Sequence, residues 1–325
     1  MMKSVILAGL LLLLPSLGYA ACALPASTAS FGSVTTFVAN TTVSSTTTNA
    51  NVNCGAGAGL SLLGNNQITF QLTGATNSNG TRGTLKRSGD TGSDNVPVRL
   101  CTDTACATEL TIGGTPFVYG SQTLINLAGL LGSLNFAIPV YLRTVPGQVV
   151  AAGTYQLTLN MAVTYRICTS VAIGNICLSE QNGSGVIPIN ITAILTNDCT
   201  TITAPNISFG SAPLVGSFSA VSQTINVLCS KGSTYTVGLS NGSYAAGSVR
   251  NMASGANRLS YEIYKSTTSN RWGSAGTERW SSTTSTAVST DGLTRGFNYT
   301  ARILTTQNTP PAGNYSDSVV VDLSF

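Results

Sequence analysis

The chain contains eight cysteines and no histidine, and these two facts limit the chemistry that it can perform. Without an imidazole, neither a Ser-His-Asp nor a Cys-His arrangement for nucleophilic catalysis is available. The eleven carboxylates are scattered along the chain, and only four of them are glutamates, so spacing alone identifies no glycosidase pair. We therefore expect a protein that is not an enzyme, with a secreted hydrolase as a distant alternative.

The cysteines point to cross-linking instead. Eight is an even number, which in an exported protein predicts four disulfides formed in an oxidising compartment. A metal centre is not expected, because histidine is absent and no paired Cys-x-x-Cys spacing occurs, and no cofactor is expected either. Four residues separate Cys101 from Cys106 without strongly cationic flanks, which indicates a stapled loop rather than a redox pair.

The first 20 residues have the three-part pattern of a secretory signal peptide. Lys3 precedes an apolar run from Val5 to Leu14, and small residues stand three and one before a possible cleavage point after Ala20. The run is about half as long as a membrane-spanning helix requires. We expect export through the periplasm and a mature chain that begins near Ala21. Acylation of Cys22, as in a lipoprotein, is the alternative.

The overall composition gives no support for nucleic acid as a partner. Charged residues make up only 8% of the chain, against about a quarter in typical proteins. The net charge of +4 is spread along the chain without a basic run, so nucleic-acid binding is not expected. The surface must consist largely of Thr, Ser, Asn and Gly. The roughly 305 residues that follow the signal peptide suffice for two domains.

Apolar residues alternate along short segments that are rich in Thr, Val, Ser and Tyr, and Gly and Asn-Gly turns separate these segments. This pattern predicts an all-β protein. Two halves of the chain align, because a cysteine, a Phe-Gly pair and a second cysteine recur at similar spacing. The matching residues are Cys22, Phe31-Gly32 and Cys54 in the first half and Cys199, Phe209-Gly210 and Cys229 in the second.

This repeat predicts two tandem immunoglobulin-like β-sandwich domains: a first domain of residues 21–196 and a second domain of residues 197–325. It also selects cysteine pairs within each copy and leaves the remaining pairs local. The predicted disulfides are Cys22–Cys54, Cys101–Cys106, Cys168–Cys177 and Cys199–Cys229.

The two copies differ at their ends. Ala152-Gly153-Thr154-Tyr155 and Ala312-Gly313-Asn314-Tyr315 each open a long alternating strand. Only the first copy continues into one more alternating strand, which we expect to complete its sandwich. Burying the apolar face of such a strand contributes on the order of 10 kcal/mol, comparable with the stability of a whole domain. The inward residues of this strand are Ile187, Ile189, Ile191 and Leu195.

We therefore expect the second sandwich to lack its last strand and to expose an apolar groove between unpaired strand edges. The predicted groove residues are Val319, Val321, Leu323 and Phe325. A strand from outside would complete this edge by donor-strand complementation. Cys22 directly follows the expected cleavage region, which leaves no donor segment ahead of the first domain and predicts a terminal subunit. The alternative is that the missing strand is supplied internally.

Several motifs of the second copy occur in the order found in a known family. They are Cys199, Phe209-Gly210, Cys229, Lys231-Gly232, Tyr235, Leu239, the segment Leu259-Ser260-Tyr261-Glu262-Ile263-Tyr264, Trp272-Gly273, Tyr299, Arg302 and Pro311-Ala312-Gly313-Asn314-Tyr315. With these motifs the second copy closely resembles the spore coat protein U domain over about 127 residues. The first copy resembles a divergent member, in which Tyr141, Arg143 and Gly153-Thr154-Tyr155 persist but no Trp-Gly pair follows.

The resemblance implies a role and partners. Members of this family include subunits of archaic (Csu-type) chaperone-usher pili, and a chain of two such domains resembles their tip adhesin. The implied partners are a periplasmic pilus chaperone, an outer-membrane usher and an adjacent pilin subunit that donates a strand. The implied location is the pilus tip at the cell surface, where the role is attachment and biofilm formation. A secreted structural coat or matrix protein and a sugar-binding pilus lectin are the alternatives.

Three apolar segments of the first copy are candidates for contact with a hydrophobic abiotic or host surface, because apolar sequence in turns contradicts the usual polarity of loops. If strands alternate in direction, all three emerge at one end of the sandwich, away from the second domain. The alternative is that they pack inward. The candidate residues are Leu60, Leu62, Leu63, Leu124, Ile125, Leu127, Leu130, Leu131, Leu134, Val171, Ile173 and Ile176. Trp272 and Trp280 would suit sugar stacking, but Trp272-Gly273 lies in the second copy and is expected to be structural.

Overall fold

The computed structural model describes residues 21–56, 65–120, 123–124, 133–169, 172–173, 176–177 and 179–325. The predicted signal peptide lies outside this part of the chain. The strands of the first domain are β1 (Ser27–Thr35), β2 (Ser45–Ala56), β3 (Gln67–Ala75), β4 (Ser78–Asn79), β5 (Arg82–Arg87), β6 (Asn95–Cys101), β7 (Glu109–Leu110), β8 (Phe117–Gly120), β9 (Ser133–Thr144), β10 (Gly153–Cys168), β11 (Ala172–Ile173), β12 (Ile176–Cys177) and β13 (Glu180–Thr196). The strands of the second domain are β14 (Cys199–Thr203), β15 (Val221–Cys229), β16 (Thr236–Leu239), β17 (Arg250–Ser254), β18 (Asn257–Lys265), β19 (Trp280–Ser281), β20 (Ala287–Val288), β21 (Thr294–Ile303) and β22 (Val321–Ser324).

Helical structure is short. Helix α1 (Thr36–Thr41) follows β1 directly, and the Thr35 side chain caps it by accepting a hydrogen bond of 3.3 Å from the Val38 N–H, as residues at this position commonly do. The 3-10 helices are Val215–Ser217, Gly276–Glu278 and Ser282–Thr284. No helix in the described part of the chain has the length and apolar character needed to span a membrane.

The long strands follow from two-residue periodicity in the sequence. In β10 the alternate side chains are buried, and the residues between them are more exposed. A strand with this pattern buries one face in a core and presents the other to water. β9 and β13 alternate in the same way. The buried residues of β10, each at most 2% exposed, include Tyr155, Leu157, Leu159, Met161 and Val163.

Apart from β11 and β12, which pair only with each other, the strands of the first domain form one barrel-like sheet. Its order is β1-β13-β10-β5-β6-β9-β2, with β3 also paired to β10 and β8 paired to β3. β13 is central to this sheet, because it pairs antiparallel with β10 and parallel with β1. Both backbone edges of β13, the last strand, are therefore hydrogen-bonded within the domain. Its inward side chains, each at most 4% exposed, are Ile187, Ile189, Ile191, Ala193 and Leu195.

The second domain has two antiparallel sheets. One has the order β14-β15-β21-β18-β17 with β20 beside β21, and the other has the order β19-β16-β22. Their shared core is aromatic. Trp272 and Trp280 are in edge-to-face contact with ring centroids 4.9 Å apart, and both rings contact Phe297. The Trp272 indole N–H donates to the Val237 carbonyl at 2.9 Å, which satisfies its polar atom inside the core.

All four predicted disulfides are present, and no cysteine is free. Cys22 is bonded to Cys54, an arrangement without the free thiol that the lipoprotein alternative would require. Cys199–Cys229 joins the matching positions of the second domain. The other two disulfides close local loops, as the sequence predicts.

A buried ion network supports the second domain. The Arg250 side chain is fully buried, and its guanidinium donates to the Glu262 carboxylate and to the carbonyl oxygens of Leu239 and Trp272. Glu262 also accepts a hydrogen bond of 2.8 Å from Arg271. Burial lowers the pKa of Arg250, and a buried charge is tolerated only when it is paired and hydrogen-bonded. The network therefore fixes β17 and β18 against the aromatic core.

Replacing Glu262 by Gln should destabilise the second domain by about 3–5 kcal/mol, because the substitution leaves the charge of Arg250 buried without compensation. Both tryptophans of the chain lie in the second core, so urea unfolding followed by tryptophan fluorescence reports on this domain. The matched control is Glu278→Gln, since the Glu278 side chain also pairs with Arg271 but is 43% exposed. It should cost less than about 1 kcal/mol. Equal midpoints for the two variants would contradict the role assigned to Glu262.

Replacing Ile189 by Ala should weaken the first domain by about 2–5 kcal/mol, because it opens a cavity under the central strand. Ile189 is fully buried, whereas Ile194 on the same strand is 48% exposed, so Ile194→Ala is the control and should change stability by less than about 0.5 kcal/mol. Hydrogen exchange of β10 and β13 in the full chain is the measurement. Faster exchange in both variants, or in neither, would show that β13 does not complete the core in this way.

Candidate functional site

The two copies of the Phe-Gly motif have the same local geometry. Gly32 and Gly210 both have a φ of +72°, in the left-handed region that favours glycine. Each glycine N–H donates to the serine side chain two residues earlier, at 3.0 Å for Ser30 and 3.4 Å for Ser208. Residues 205–213 are therefore the structural counterpart of β1.

In the first domain, β1 and β10 are the two walls of a slot that β13 fills. Ile191 of β13 lies opposite Leu157 of β10 on one side and opposite Ala29 of β1 on the other. Nearer the start of β13, Gly183 lies opposite Tyr165. A Cβ atom on Gly183 would come within 2.2 Å of the Tyr165 hydroxyl oxygen, so the absence of a side chain leaves room for the tyrosine ring.

The described part of the second domain has the same two walls without a strand between them. Residues 205–213 form no strand, and the one strand that pairs with β22 is β16. We call the gap between residues 205–213 and 315–325 the groove. Its lining is only half-buried, whereas the residues of β10 at the matching positions are fully buried. The half-buried apolar residues are Ile207, Phe209, Tyr315, Val319, Val321 and Leu323.

Apolar surface is open at both ends of the groove. At one end lies a cavity of about 540 Å³, lined by Ile207 and Phe209 from one wall and by Tyr315 from the other. At the other end the Phe325 side chain is 69% exposed, with its ring centroid 6.2 Å from that of Tyr235. Open apolar surface of this kind is typical of interaction sites.

One charged group interrupts the apolar lining of the groove. Asp317 stands where β10 has Leu157, and it is half-buried. Its carboxylate accepts hydrogen bonds from the Tyr261 hydroxyl at 2.7 Å and from the Ser243 N–H at 2.8 Å. Burial, followed by the hydrogen bond to Asp317, raises the pKa of Tyr261, so the tyrosine keeps its proton and donates it. The floor of the groove therefore has one fixed acceptor site.

The strand ends that flank the three predicted surface-binding segments lie at one end of the first domain. The last residue of β2 pairs with the first residue of β9, and the first residue of β3 pairs with the last residue of β8. Cys168, the last residue of β10, pairs with Glu180, the first residue of β13. Cys22 links these groups, because its disulfide joins it to β2 and its N–H donates to Tyr165 of β10 at 2.9 Å. The strand ends that flank the segments thus lie together.

Few of the predicted contact residues themselves belong to the described part of the chain. Leu124 and Leu134 are 0% and 1% exposed and belong to the first core. The prediction that they contact a surface is wrong, because Leu134 begins the inward face of β9 and Leu124 packs into the same core. Ile173 and Ile176 lie in β11 and β12, which pair with each other. Outside the described residues lie Leu60, Leu62, Leu63, Ile125, Leu127, Leu130, Leu131 and Val171.

The second domain contacts the opposite end of the first domain. The Lys231 ammonium lies 2.5 Å from the Asp94 carboxylate, which also accepts a hydrogen bond of 2.8 Å from the Ala151 N–H. The hydroxyls of Thr36 and Ser230 lie 2.6 Å apart. Thr36 directly follows β1, whose last residue is aligned with the last residue of β13. The strand ends that flank the apolar segments therefore face away from the second domain.

The polar clusters in the described part of the chain are structural. Trp272 and Trp280 are buried, so they form no exposed platform for a sugar. Glu109 lies 2.6 Å from Arg82 and 2.8 Å from Arg99, and the hydrogen bond from Arg82 is the main cause that lowers the pKa of Glu109. A paired and ionised carboxylate is a poor proton donor at neutral pH. No group of three metal-ligating side chains occurs among the described residues.

Sequence reasoning missed two parts of this arrangement. It named one wall of the groove and omitted Ile207 and Phe209 on the other, although the match between the two Phe-Gly motifs was the available signal. It also missed the contact between Asp94 and Lys231. These residues are 137 positions apart, and no local pattern in the sequence brings them together.

The comparison with solved structures matches bacterial adhesion proteins. The CsuC-CsuE chaperone-tip adhesion subunit pre-assembly complex from archaic chaperone-usher Csu pili of Acinetobacter baumannii is similar at 24% identity and a TM-score of 0.55, over 94% of this chain and 100% of that chain. The CupB6 tip adhesin from Pseudomonas aeruginosa is matched at 13% identity and a TM-score of 0.37, over 90% and 88% of the two chains. CfaE, the adhesive subunit of the CFA/I fimbria of enterotoxigenic Escherichia coli, is matched at 9% identity and a TM-score of 0.36, over 93% of each chain.

At 24% identity, the likeness to the CsuC-CsuE complex shows a shared fold and no more. No curated protein sequence matches this one significantly. The family model of the Spore Coat Protein U domain matches the sequence twice, over residues 11–162 and 186–322. The two matches cover most of both domains and agree with the repeated Phe-Gly geometry. This chain belongs to the Spore Coat Protein U domain family.

Proposed function

We propose that this protein is the tip adhesin of an archaic chaperone-usher pilus. In this role the second domain joins the fibre by accepting a strand, and the first domain binds surfaces through its apolar segments. The role is not enzymatic. One observation carries the proposal: β13 fills the slot between β1 and β10 in the first domain, and the same slot is open and half-buried in the second.

The open slot suits a β-strand from another chain. Its inward side chains repeat every second residue along residues 315–323 and are apolar except at Asp317, and this is the spacing that a strand can cover. Each fully buried Val, Leu or Phe contributes about 1.5–3 kcal/mol, and unpaired edges on both sides supply main-chain hydrogen bonds. An adjacent pilin subunit is the proposed donor in the fibre, and a periplasmic chaperone is the proposed occupant before assembly at an outer-membrane usher.

In the described part of the chain, the residues that precede each domain are already engaged. The segment that precedes the second domain is β13, and it is buried in the first domain. Residues 22–24 are held at the other end, because Cys22 is bonded to Cys54 and the backbones of Ala23 and Asn53 exchange hydrogen bonds of 2.7 and 2.9 Å. A subunit that accepts a strand and has its own strands engaged belongs at the end of a fibre.

The position of the apolar segments suits contact with a surface. Their flanking strand ends lie opposite the junction with the second domain, so the segments would project from the fibre tip. Apolar side chains there would bind a hydrophobic abiotic or host surface by desolvation, at about 1.5–3 kcal/mol for each buried Leu or Ile. Many fibres on one cell would multiply this weak binding through avidity, which supports attachment and biofilm formation at the cell surface.

A donor strand fused after Phe325 should stabilise the second domain. The fused segment is a short Gly-Ser linker followed by a copy of residues 181–195, which can fold back antiparallel to β22 as β13 does along β10. We expect a higher urea midpoint by tryptophan fluorescence and loss of the aggregation caused by the open groove. The control carries Ser in place of Ile187 and Ile189 within the copy. Equal midpoints for both fused chains and the unfused chain would refute strand acceptance.

Polar substitution of the apolar segments should abolish attachment to hydrophobic material without affecting assembly. The substitution set is Leu62→Ser, Leu63→Ser, Leu130→Ser, Leu131→Ser and Ile173→Ser. Cells that display the substituted tip should assemble fibres normally and bind polystyrene at background level. The controls are Val43→Ser and Val249→Ser, at exposed apolar positions elsewhere. Normal adhesion of the substituted cells, or complete inhibition of wild-type adhesion by a simple sugar, would show that another mechanism binds the surface.

A further inference from the structure

The groove and the slot of the first domain differ at one position. When the two copies are aligned, Tyr315 matches Tyr155, and the next inward positions along both walls are apolar with one exception. The exception is Asp317, which takes the place of Leu157. In the first domain Leu157 is 2% exposed and lies opposite Ile191 of the completing strand, so two aliphatic side chains occupy this position.

The carboxylate of Asp317 is held in place by the second domain itself. Its two oxygens accept hydrogen bonds from the Tyr261 hydroxyl and the Ser243 N–H. Gly242, with a φ of +84°, brings the turn so close that a Cβ atom there would lie 1.9 Å from an Asp317 oxygen. The side chain therefore cannot swing outward without breaking both bonds, and it stays on the face that an incoming strand covers.

Covering this carboxylate changes its solvation. An ionised carboxylate offers about four acceptor positions, and protein groups occupy two of them. Asp317 is only half-buried while the groove is open, so water can reach the other positions. A strand that seats an aliphatic side chain over Asp317 removes that water without replacing its hydrogen bonds, which is unfavourable for a buried charge. A hydroxyl or amide side chain at the same place would supply the missing donor.

We propose that Asp317 is a specificity-determining residue of the groove. It favours a strand with a hydrogen-bond donor such as Ser, Thr or Asn at the position that faces it, and it disfavours a strand with an aliphatic residue there. This inference rests on the proposed strand-accepting function. The disfavoured strands include β13 of this same protein, which presents Ile191 at that position.

This selectivity has a consequence for the isolated protein. The first domain contains a strand of the right length and alternation to fill the groove of a second copy, so exchange of β13 between copies would link them. Specificity against a wrong partner requires an unfavourable contact in the wrong complex. Asp317 supplies that contact at a single position, while the apolar positions on either side accept both kinds of strand.

The test measures binding of three labelled peptides to the full chain by fluorescence anisotropy. The first has the sequence of residues 181–195, the second carries Ile191→Thr, and the third carries Ile189→Thr at the neighbouring inward position, which faces Val319. We expect the Ile191→Thr peptide to bind about tenfold more tightly than the first. The Ile189→Thr peptide should bind more weakly than the first. Equal or reversed affinities of the first two peptides would overturn the role of Asp317.

The variant Asp317→Leu, which restores the residue of the first domain, should reverse the preference between the first two peptides. A preference that persists in this variant would also overturn the proposal. If the Asp317→Leu variant does not fold, the comparison of the peptides on the wild-type chain decides the question alone. If no peptide binds either chain, the strand-accepting function fails. If all three bind the wild-type chain equally, only the selectivity fails.

Discussion

A β-sandwich is stable only when the apolar faces of its sheets are covered, and in the first domain the strand between β1 and β10 completes that cover. β13 satisfies both ladders and closes the core with one segment. The second domain has the same walls and lacks that segment among its described residues. The half-buried state of its groove, and the function proposed for it, depend on this single difference.

The second domain keeps its shape around an open groove because its rigid parts lie elsewhere. Trp272 and its aromatic neighbours fill the middle of the core, and Arg250 and Glu262 join two strands through a fully satisfied charge network. Asp317 is fixed by Tyr261 from the same strand that carries Glu262. The walls of the groove are thus held by contacts that do not require the missing strand.

Strict alternation made β13 predictable, because Ile187, Ile189 and Ile191 share one face. The repeat made the disulfides predictable, because it aligns the cysteines of the two copies. The same alternation starts at Leu134 and continues through β9, so the burial of Leu134 was present in the sequence but was obscured by the apolar run before it. Residues 205–213 have no strand pattern and form no strand, which concealed one wall of the groove. The contact between Asp94 and Lys231 depends on how the domains dock, which sequence periodicity does not encode.

The route of the chain between its two ends determines how it carries tension. A pull between the apolar segments and the groove runs along β13, which is aligned with β10 through sixteen residue pairs. Hydrogen bonds of an antiparallel ladder lie across the strands, so the pull shears all of them together instead of opening them one at a time. Beyond β13 the chain enters the second domain at Cys199, where the disulfide to Cys229 transfers the load directly to β15. The lifetime of an attached cell under flow would then depend on the rate of unfolding rather than on equilibrium stability.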